Sequence, residues 1–351
     1  MQQDANDNTC IGDFGSDACL YNINDTPKTG QNKDKVLMQD PFTDLETAAR
    51  AVREMYDVFG VFDLNPMLPH LFSLTGQPYT LYNHFPMEPL FRFSDMPRRL
   101  LLKCGRQVAK TQTTAARLLV LSYIHPHLQS LVVLPRFEQA RRLSANYVAP
   151  LILESPVKEL FYDKAKASSI LQRTLPNSSS IHFSYAYLSA DKVRGISSDS
   201  LMFDEIQDID TDHLPVIREC NAASDLKLET YTGTPKTYDN TIQTLWEDTS
   251  MAEFIIDCQA CNYVNIPNKG NDVLDMIGKD TLVCAKCGKP LNAHTGRWIH
   301  GRPERRHIFA GYHIPQIIMP QNYTKPDNWY LIRQKMKYTP HRFWNECLGE
   351  S

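Results

Sequence analysis

Residues Leu100–Thr111, with the sequence LLLKCGRQVAKT, read as an apolar strand that runs into a phosphate-binding loop. In the pattern G-x-x-x-x-G-K-[ST], backbone amides cradle phosphates, the lysine bridges their oxygens and the hydroxyl faces Mg²⁺. Lys110 and Thr111 supply the last two positions of that pattern. Because the first amides of a following helix point at an anion, this stretch predicts a nucleotide site at the end of a strand.

The loop departs from the pattern at both glycines. Cys104 and Ala109 stand where glycine is usual, and Gly105 is displaced by one position. If position 109 needs a positive φ, alanine carries a strain of roughly 1 kcal/mol that glycine avoids. A basic strand–helix turn without a ligand would fit so degenerate a loop equally well.

A second apolar strand, Leu201–Phe203, ends in the adjacent carboxylates Asp204 and Glu205. A carboxylate at a strand end can manage the hydration shell of Mg²⁺, and its neighbour beyond the sheet edge can take a proton from water. An Asp-Glu pair is more commonly a solvated turn, but the preceding buried strand argues against that here. The loop and the acid pair together predict hydrolysis of a nucleoside triphosphate.

Short apolar strands alternate with helical segments between Arg99 and Asp257. The further predicted strands are Leu131–Leu134, Ile181–Ser184, Leu228–Tyr231 and, as the last one, Phe254–Ile256; the predicted helices are Thr111–Tyr123, Glu138–Val148 and Ile242–Thr249. This alternation predicts an α/β fold of the P-loop NTPase (RecA/ASCE-like) kind, with a mostly parallel sheet and helices on both faces. Ligands of such sheets bind beyond the carboxyl ends of the strands, where both motifs end.

The composition of the chain changes twice along its length. Residues 1–42 are rich in Asn, Asp, Gly, Thr and Lys without apolar periodicity, which predicts a disordered leader. An amphipathic helix is predicted from Asp44, with Thr43 or Asp44 as its cap, and the ATPase domain is assigned to residues 43–257. Cysteine pairs, prolines, histidines and arginines follow, so residues 258–351 are assigned to a zinc-ribbon and linker subdomain.

Four of the nine cysteines form two C-x-x-C pairs, Cys258 with Cys261 and Cys284 with Cys287. Two such turns bring four thiolates into a tetrahedral array that suits zinc, and Gly288 supplies the tight turn after the second pair. Free thiols or a redox pair are the alternatives. Since four protein ligands leave no open position for catalysis, the predicted Zn²⁺ is structural.

The length and net charge of the chain limit which kinds of partner it can bind. The 351 residues carry a net charge of −3 and can bury one large or two modest cores. No apolar run approaches the roughly 18–20 residues of a membrane span, and the N-terminus lacks the pattern of a signal peptide. Because the net charge is negative, binding of nucleic acid would need a local basic surface. The candidates are Arg92, Arg98 and Arg99 before the loop, and Arg297, Arg302, Arg305 and Arg306 late in the chain.

Several stretches together resemble the large terminases of tailed bacteriophages, the ATPases that drive DNA into empty procapsids. Gly105–Thr111 resembles their deviant phosphate loop, in which an arginine precedes the lysine by four residues, as Arg106 does here. Val193–Asp208 resembles the surroundings of the family's acidic pair, and Tyr231–Pro235 resembles its coupling motif. The resemblance continues through the cysteine pairs to Phe343–Gly349.

The resemblance implies a role for each matching residue. ATP and magnesium would be bound by Gly105, Gln107, Val108, Ala109, Lys110, Thr111 and Asp204. Glu205 would activate water, and Thr232, Gly233 and Thr234 would couple hydrolysis to the part that grips DNA. Arg106, Arg141 and Arg142 compete for the role of an arginine finger, in cis or toward a neighbouring subunit. The adenine is expected near Tyr79–Pro89.

The resemblance also implies partners and a setting. Packaging motors of this family act in the host cytoplasm as a ring-shaped homo-oligomer on the portal protein of a procapsid, with double-stranded DNA and a small terminase subunit. In the family, Asn345–Gly349 marks the junction with a C-terminal nuclease. The carboxylates after residue 257 do not follow strands, so we expect no nuclease here, the nuclease being a separate polypeptide or a domain of a longer chain.

Two other classes of protein remain open on the sequence. A superfamily-2 helicase or translocase would need a second RecA-like domain, for which residues 258–351 are too short and too cysteine-bound. A zinc-ribbon DNA-binding adaptor could carry an ATPase core that has degenerated through Cys104 and Ala109.

Overall fold

A computed structural model describes residues 50, 62–93, 96–166, 168–186, 189–268, 270–271 and 273–351. The predicted leader, and all but one residue of the helix predicted from Asp44, lie outside these residues. No helix among the described residues is long and apolar enough to cross a bilayer.

The described residues form α-helices and β-strands that alternate along much of the chain. The strands are β1 (Ser73–Leu74), β2 (Gln77–Pro78), β3 (Arg99–Cys104), β4 (Gln129–Leu134), β5 (Ser168–Ser169), β6 (Gln172–Thr174), β7 (Ser180–Tyr185), β8 (Ser200–Phe203), β9 (Leu228–Gly233), β10 (Ala252–Asp257), β11 (Val264–Asn265), β12 (Arg297–His300) and β13 (Phe309–Ile314). The α-helices are α1 (Leu68–Leu71), α2 (Lys110–Ile124), α3 (Phe137–Leu143), α4 (Ala149–Leu153), α5 (Leu214–Arg218), α6 (Thr241–Glu247), α7 (Pro320–Tyr323), α8 (Pro326–Lys335) and α9 (Pro340–Phe343).

The central sheet confirms the predicted, mostly parallel architecture. Its order is β11-β10-β13-β3-β9-β8-β4-β7-β6-β5, and β12 pairs with β10 outside this path. All neighbours from β10 to β7 run parallel, whereas β5, β6, β11 and β12 are antiparallel additions at the two edges. The parallel strands therefore all end at one edge of the sheet, which collects the loops that follow β3, β8 and β9.

Both faces of the sheet are covered, as its residue pattern requires. Along β3, Leu100 and Leu102 belong to one apolar cluster, with residues of α2 and α4. Leu101 between them belongs to a second cluster, on the opposite face, with residues of α5 and α6. Successive strand side chains point to opposite faces, so a continuous apolar run such as 100–102 is typical of a strand buried on both sides.

Phe254–Ile256 is not the last strand, which corrects the sequence-based prediction. After β10 the chain builds the cysteine-containing segment, which adds β11 and β12 as antiparallel partners of β10, and then inserts β13 between β10 and β3. Residues Phe309–Ile314 pair in parallel register with Arg99–Cys104. A change of composition marks residue 257, but a strand from beyond that point adjoins the loop strand itself.

The helix predicted over Glu138–Val148 is also shorter and less regular than expected. The regular helix α3 ends at Leu143 and continues as a π-helical turn, Ser144–Val148, which leads into α4. Pro150, which has no N–H to donate, lies in this continuous helical run directly after the π-helical turn.

Candidate nucleotide site and cysteine centre

The phosphate loop spans residues 105–109, between the end of β3 and the first turn of α2. Gln107 has φ +57° and Ala109 has φ +60°, so two non-glycine residues of the loop lie in the left-handed region. The positive φ considered for position 109 is therefore present, and the side chain there is alanine. Left-handed geometry at residues without glycine is uncommon and tends to mark functional loops.

Lys110, the first residue of α2, meets the acid pair. Its Nζ lies 3.0 Å from Oε1 of Glu205, and only 12% of its side chain is exposed. Burial alone would lower the pKa of Lys110, but the charges of Glu205 and Asp204 raise it above its usual value. The lysine is therefore held charged at the carboxyl edge of the sheet.

Asp204 directly follows β8 and is almost fully buried, with 2% of its surface exposed. Its Oδ2 accepts a hydrogen bond of 3.0 Å from the hydroxyl of Thr111, and its Oδ1 accepts one from the hydroxyl of Thr232. Burial raises the pKa of Asp204, an effect that Lys110 opposes. The carboxylate and the Thr111 hydroxyl thus present oxygen ligands side by side, the donor type that Mg²⁺ prefers.

Glu205 follows at φ +56° and ψ +42°, a left-handed residue that turns the chain out of the strand. Its two oxygens have different partners: Lys110 at Oε1, and Nε2 of Gln207 at Oε2, 2.6 Å away. Burial would raise the pKa of Glu205, but Lys110, the amide of Gln207 and the charge of Arg106 together lower it. This carboxylate is therefore ionised and oriented, as a general base must be.

The predicted coupling segment, Thr232–Thr234, lies at the end of β9, between the loop strand β3 and the acid strand β8. Thr232 donates to Asp204, and the backbone N–H of Thr234 donates to Oε1 of Gln207 at 3.1 Å. The segment therefore contacts one acid directly and the other through a glutamine.

Residues 344–351, which we call the C-terminal segment, pack against the phosphate loop. The N–H of Gly105 donates to Ile314 O at 2.9 Å, and that of Arg106 donates to Glu346 O at 2.7 Å. A Cβ on Gly105 would lie 2.6 Å from Cys347 O. The displaced glycine is thus required by close backbone approach, and its amide serves a neighbouring strand.

The three candidate arginines lie in different surroundings. The guanidinium of Arg106 lies 3.3 Å from Glu346, with 60% of the side chain exposed, while its charge also acts on Glu205. Arg141 pairs with Glu138 on α3. Arg142 is exposed on the same helix, and no contact among the described residues brings it to the acid pair. The choice among the three stays a prediction.

A buried ionic network lies behind the loop. Lys103 pairs with Glu350, next to His313 of β13. Nδ1 of His313 lies 2.8 Å from Oε2 of Glu253, and Nε2 lies 2.7 Å from Leu348 O. Both partners only accept hydrogen bonds, so both ring nitrogens donate and the ring is protonated. Burial opposes this charge, but Glu253 and Glu350 raise the pKa of His313 above its usual value.

The four paired cysteines converge on one point. The Sγ atoms of Cys258 and Cys287 lie 3.6 Å apart, those of Cys261 and Cys284 lie 3.7 Å apart, and all four lie within 4.8 Å of one another. A tetrahedron with metal–sulfur bonds of about 2.3 Å has edges of about 3.8 Å, whereas a disulfide measures about 2.05 Å. The thiols therefore fit a four-coordinate metal ion. Gly288, at φ +69°, donates its N–H to Cys284 O and makes the predicted tight turn.

The basic clusters seen in the sequence are largely paired. Arg92 lies beside Asp63 and Glu88, Arg99 beside Glu229, and Arg297 beside Asp257. Arg302, which follows β12, donates to the carbonyl of Glu247 at the end of α6. The arginines picked out in the sequence therefore serve the fold at most of these positions.

A family model described as phage terminase large subunit gpA, ATPase domain, matches residues 87–302. The matched range is more than half of the chain and contains the loop, both acids, the coupling segment and all four cysteines. The chain belongs to this terminase ATPase family. It is therefore an ATPase of the phage packaging-motor class.

Solved structures of large terminases are similar to this chain, and the one from bacteriophage HK97 shows a shared fold. The HK97 bacteriophage large terminase aligns with a TM-score of 0.52 at 13% identity, over 82% of this chain and 54% of the HK97 chain. The large terminase ATPase domain of Thermus phage P74-26 gives 0.46 at 15% identity, over 75% and 92%. The large terminase of another thermophilic bacteriophage, in complex with ADP, gives 0.47 at 11% identity, over 76% and 52%. No curated protein sequence matches the chain.

Some contacts of this terminase ATPase domain were not predicted from its sequence. Gln207 contacts Glu205, and Gln316 and Gln321 donate to the carbonyls of the phosphate loop. Gln207 stood within a stretch already singled out, but its proximity to Glu205 depends on the left-handed turn between them. The other two glutamines follow β13, and no local pattern links that region to the loop.

Proposed function

We propose that this chain hydrolyses Mg-ATP beside the Lys110–Glu205 pair and that the hydrolysis drives double-stranded viral DNA into a procapsid. Support for the site comes from the 3.0 Å contact between the loop lysine and the second acid, made at the edge where the parallel strands end. Support for the motor comes from the family match.

Each site residue has one task in this proposal. Lys110 and the backbone of Gln107–Thr111 bind the phosphates, helped by the amides of the first turn of α2. Asp204 and the Thr111 hydroxyl would hold Mg²⁺, which offsets negative charge on the phosphates when bound. Glu205 accepts the proton of the attacking water. Thr232–Thr234, through its contacts with both acids, senses the reaction.

For the transition-state charge we favour Arg106 over Arg142. The charge of Arg106 already lowers the pKa of Glu205, and its long, largely exposed side chain can turn toward a phosphate. Arg142 remains a candidate in trans, because an exposed guanidinium could reach the site of a neighbouring subunit in a ring. Arg106→Ala should lower kcat in the isolated chain, whereas Arg142→Ala should matter only in the assembled ring.

The cysteine centre is proposed to hold a structural Zn²⁺. Four protein thiols complete a tetrahedral site, and two of them, Cys258 and Cys284, belong to a buried apolar cluster. Residues 258–351 would form a zinc-ribbon and linker subdomain, with residues 43–257 as the ATPase domain. In this division the second part braces the first through β13 and the C-terminal segment.

The partners we propose follow from the motor function. They are double-stranded DNA, the portal protein, a small terminase subunit and further copies of this chain in a ring, all in the host cytoplasm. We propose that DNA cleavage belongs to a separate subunit or to a domain outside this sequence. Plasmid incubated with this chain and Mg²⁺ or Mn²⁺ should therefore stay intact; nicked or linear products would contradict this.

The decisive test is ATP turnover of Glu205→Gln. We expect kcat to fall by about a hundredfold or more, since the glutamine cannot accept the proton. Glu304→Gln, an exposed glutamate remote from the acid pair in sequence, is the matched control and should keep the native rate. Native turnover by Glu205→Gln would refute the assignment of the base.

Two measurements separate the motor from its rivals. A DNA-stimulated ATPase that does not separate strands would exclude a helicase, and turnover that depends on Glu205 would exclude a degenerate adaptor. With procapsids that carry a portal, nuclease-protected DNA should accumulate only with ATP and intact Glu205. Turnover without any protected DNA under these conditions would contradict the packaging role.

A further inference from the structure

The side chain of Gln207 links the acid pair to the coupling segment, which belong to separate sequence motifs. It is 9% exposed and lies on a short 3₁₀ turn, Ile206–Asp208, directly after the acid pair. Its Nε2 donates to Oε2 of Glu205 at 2.6 Å, and its Oε1 accepts the N–H of Thr234 at 3.1 Å. The amide therefore has one partner on the catalytic carboxylate and one on the coupling segment.

The backbone makes this arrangement possible. Glu205 is left-handed, at φ +56° and ψ +42°, so the chain reverses immediately after the acid. The residue two positions later is thereby turned back toward the Glu205 carboxylate. A non-glycine residue in this region is strained, and such strain persists where surrounding contacts enforce it.

The coupling segment is shaped around the same amide. A Cβ built on Gly233 would meet Oε1 of Gln207 well below 3.0 Å, a distance that real Cβ atoms essentially never show. Gly233 does not have a positive φ, so glycine is needed there for lack of space and not for its backbone conformation. The absence of a side chain at the end of β9 therefore leaves room for the Gln207 amide.

The chemistry of the amide fixes its direction. The N–H of Thr234 can only donate, so it holds the carbonyl oxygen of Gln207 and leaves Nε2 facing Glu205. Lys110 binds the other carboxylate oxygen. With one donor on each oxygen, the plane of the Glu205 carboxylate is defined, and hydrogen bonding to the charged form keeps it ionised.

We infer that Gln207 is a positioning residue that transmits movement between Glu205 and the coupling segment Thr232–Thr234. A shift of Thr234 pulls the amide and turns the carboxylate, and a change of charge at Glu205 is felt at Thr234 by the same route. The inference rests on the proposed role of Glu205 as the base. It adds a second line of contact beside the direct bond from Thr232 to Asp204.

The first experiment measures steady-state ATP turnover of Gln207→Ala. We expect kcat to fall by about ten- to a hundredfold, as for loss of a hydrogen bond to an ionised group, with little change in KM. Gln243→Ala, at a glutamine similarly buried on α6, is the matched control and should leave kcat and KM unchanged.

Gln207→Glu keeps the shape of the side chain if the alanine variant folds poorly. It replaces the donor to Glu205 by a charged acceptor, so kcat should fall at least as far as in Gln207→Ala, again with little change in KM. A role confined to packing would lower stability and leave the kcat of the folded fraction where it was. Native kcat in the folded fraction of both variants would overturn the inference.

A double-mutant cycle tests the route through the coupling segment. Gly233→Ala should lower kcat because its methyl group displaces Gln207. Added to Gln207→Ala it should cost little more, since the closest obstacle has gone and the methyl groups of Ile206 and Ile242, at 3.1 Å, need move only slightly. Additive losses would overturn the link. Glu205→Gln distinguishes failure of this inference from failure of the proposed base. If Glu205→Gln is inactive while Gln207→Ala has native activity, only the role of Gln207 is refuted. If Glu205→Gln is active, the role of Glu205 as the base is refuted as well.

Discussion

Replacing Ala109 by glycine should stabilise the protein, although most alanine-to-glycine changes destabilise. Ala109 lies at φ +60° and ψ +22°, directly before the first helical residue, Lys110. An L-residue in this region brings its Cβ too close to the following carbonyl oxygen, and glycine lacks that atom.

The size of the effect follows from two opposing terms. Left-handed geometry costs an alanine about 1–2 kcal/mol, and glycine removes this cost. Glycine also loosens the unfolded chain, which removes about 0.4–1 kcal/mol of stability. The net gain is therefore about 0.5–1 kcal/mol. With an unfolding entropy of about 2.1 cal/mol/K per residue over the roughly 280 described residues, Tm should rise by about 0.9–1.7 °C.

Urea unfolding followed by circular dichroism is the assay, with Ala116→Gly as the matched control. Ala116 lies in the same helix, α2, and is fully buried. Glycine there loses helix propensity and a buried methyl group, so it should destabilise by about 1–2 kcal/mol. The two substitutions should thus have opposite signs. If Ala109→Gly destabilises as Ala116→Gly does, the left-handed conformation at position 109 is wrong.

Three further outcomes are expected. Gly349→Ala should destabilise by about 2 kcal/mol or more and weaken binding of a fluorescent nucleotide, because φ is +69° and the new Cβ would lie 2.7 Å from the N of Gly105; a native melting curve would contradict the packing of the C-terminal segment. His313 has a raised pKa, so its stabilising effect should be complete below its ordinary value of 6.5 and lost as pH rises through the raised value. The urea midpoint should fall over that range in the native chain and stay flatter in His313→Gln; parallel curves would refute the charged ring. Metal analysis should find one zinc ion per chain, and Cys258→Ser should lose it and melt at a lower temperature; a zinc-free native chain with unchanged stability would remove the metal centre.

Much of the chemistry could be predicted because its signals are local. A strand that ends in a lysine-bearing loop, a strand that ends in two acids, and two C-x-x-C pairs each occupy a few consecutive residues. The alternation of apolar strands with helices likewise predicts a parallel sheet, and the parallel sheet predicts where its ligands bind. The strand Leu201–Phe203 is an example: its bounds differ from those of β8 by one residue.

Other elements had no local signal. Phe309–Ile314 is one apolar segment among several in a cysteine- and arginine-rich region, and its place beside β3 depends on a long return of the chain. The backbone approach of residue 347 to Gly105 is equally non-local, so the displaced glycine read as a degenerate motif. Only the folded chain shows that Gly105 is needed because the backbone of residue 347 packs against it.

The order of residues along the chain was enough to predict the candidate groups: Lys110, Thr111, the acids Asp204 and Glu205, and the four paired thiols. It could not reveal what holds those groups in register. The left-handed turn at Glu205, the amide of Gln207 and the C-terminal segment under the loop arise from contacts between residues far apart in sequence or from strained backbone. These contacts form, and stabilise the site, only after the sheet has brought the strand ends together.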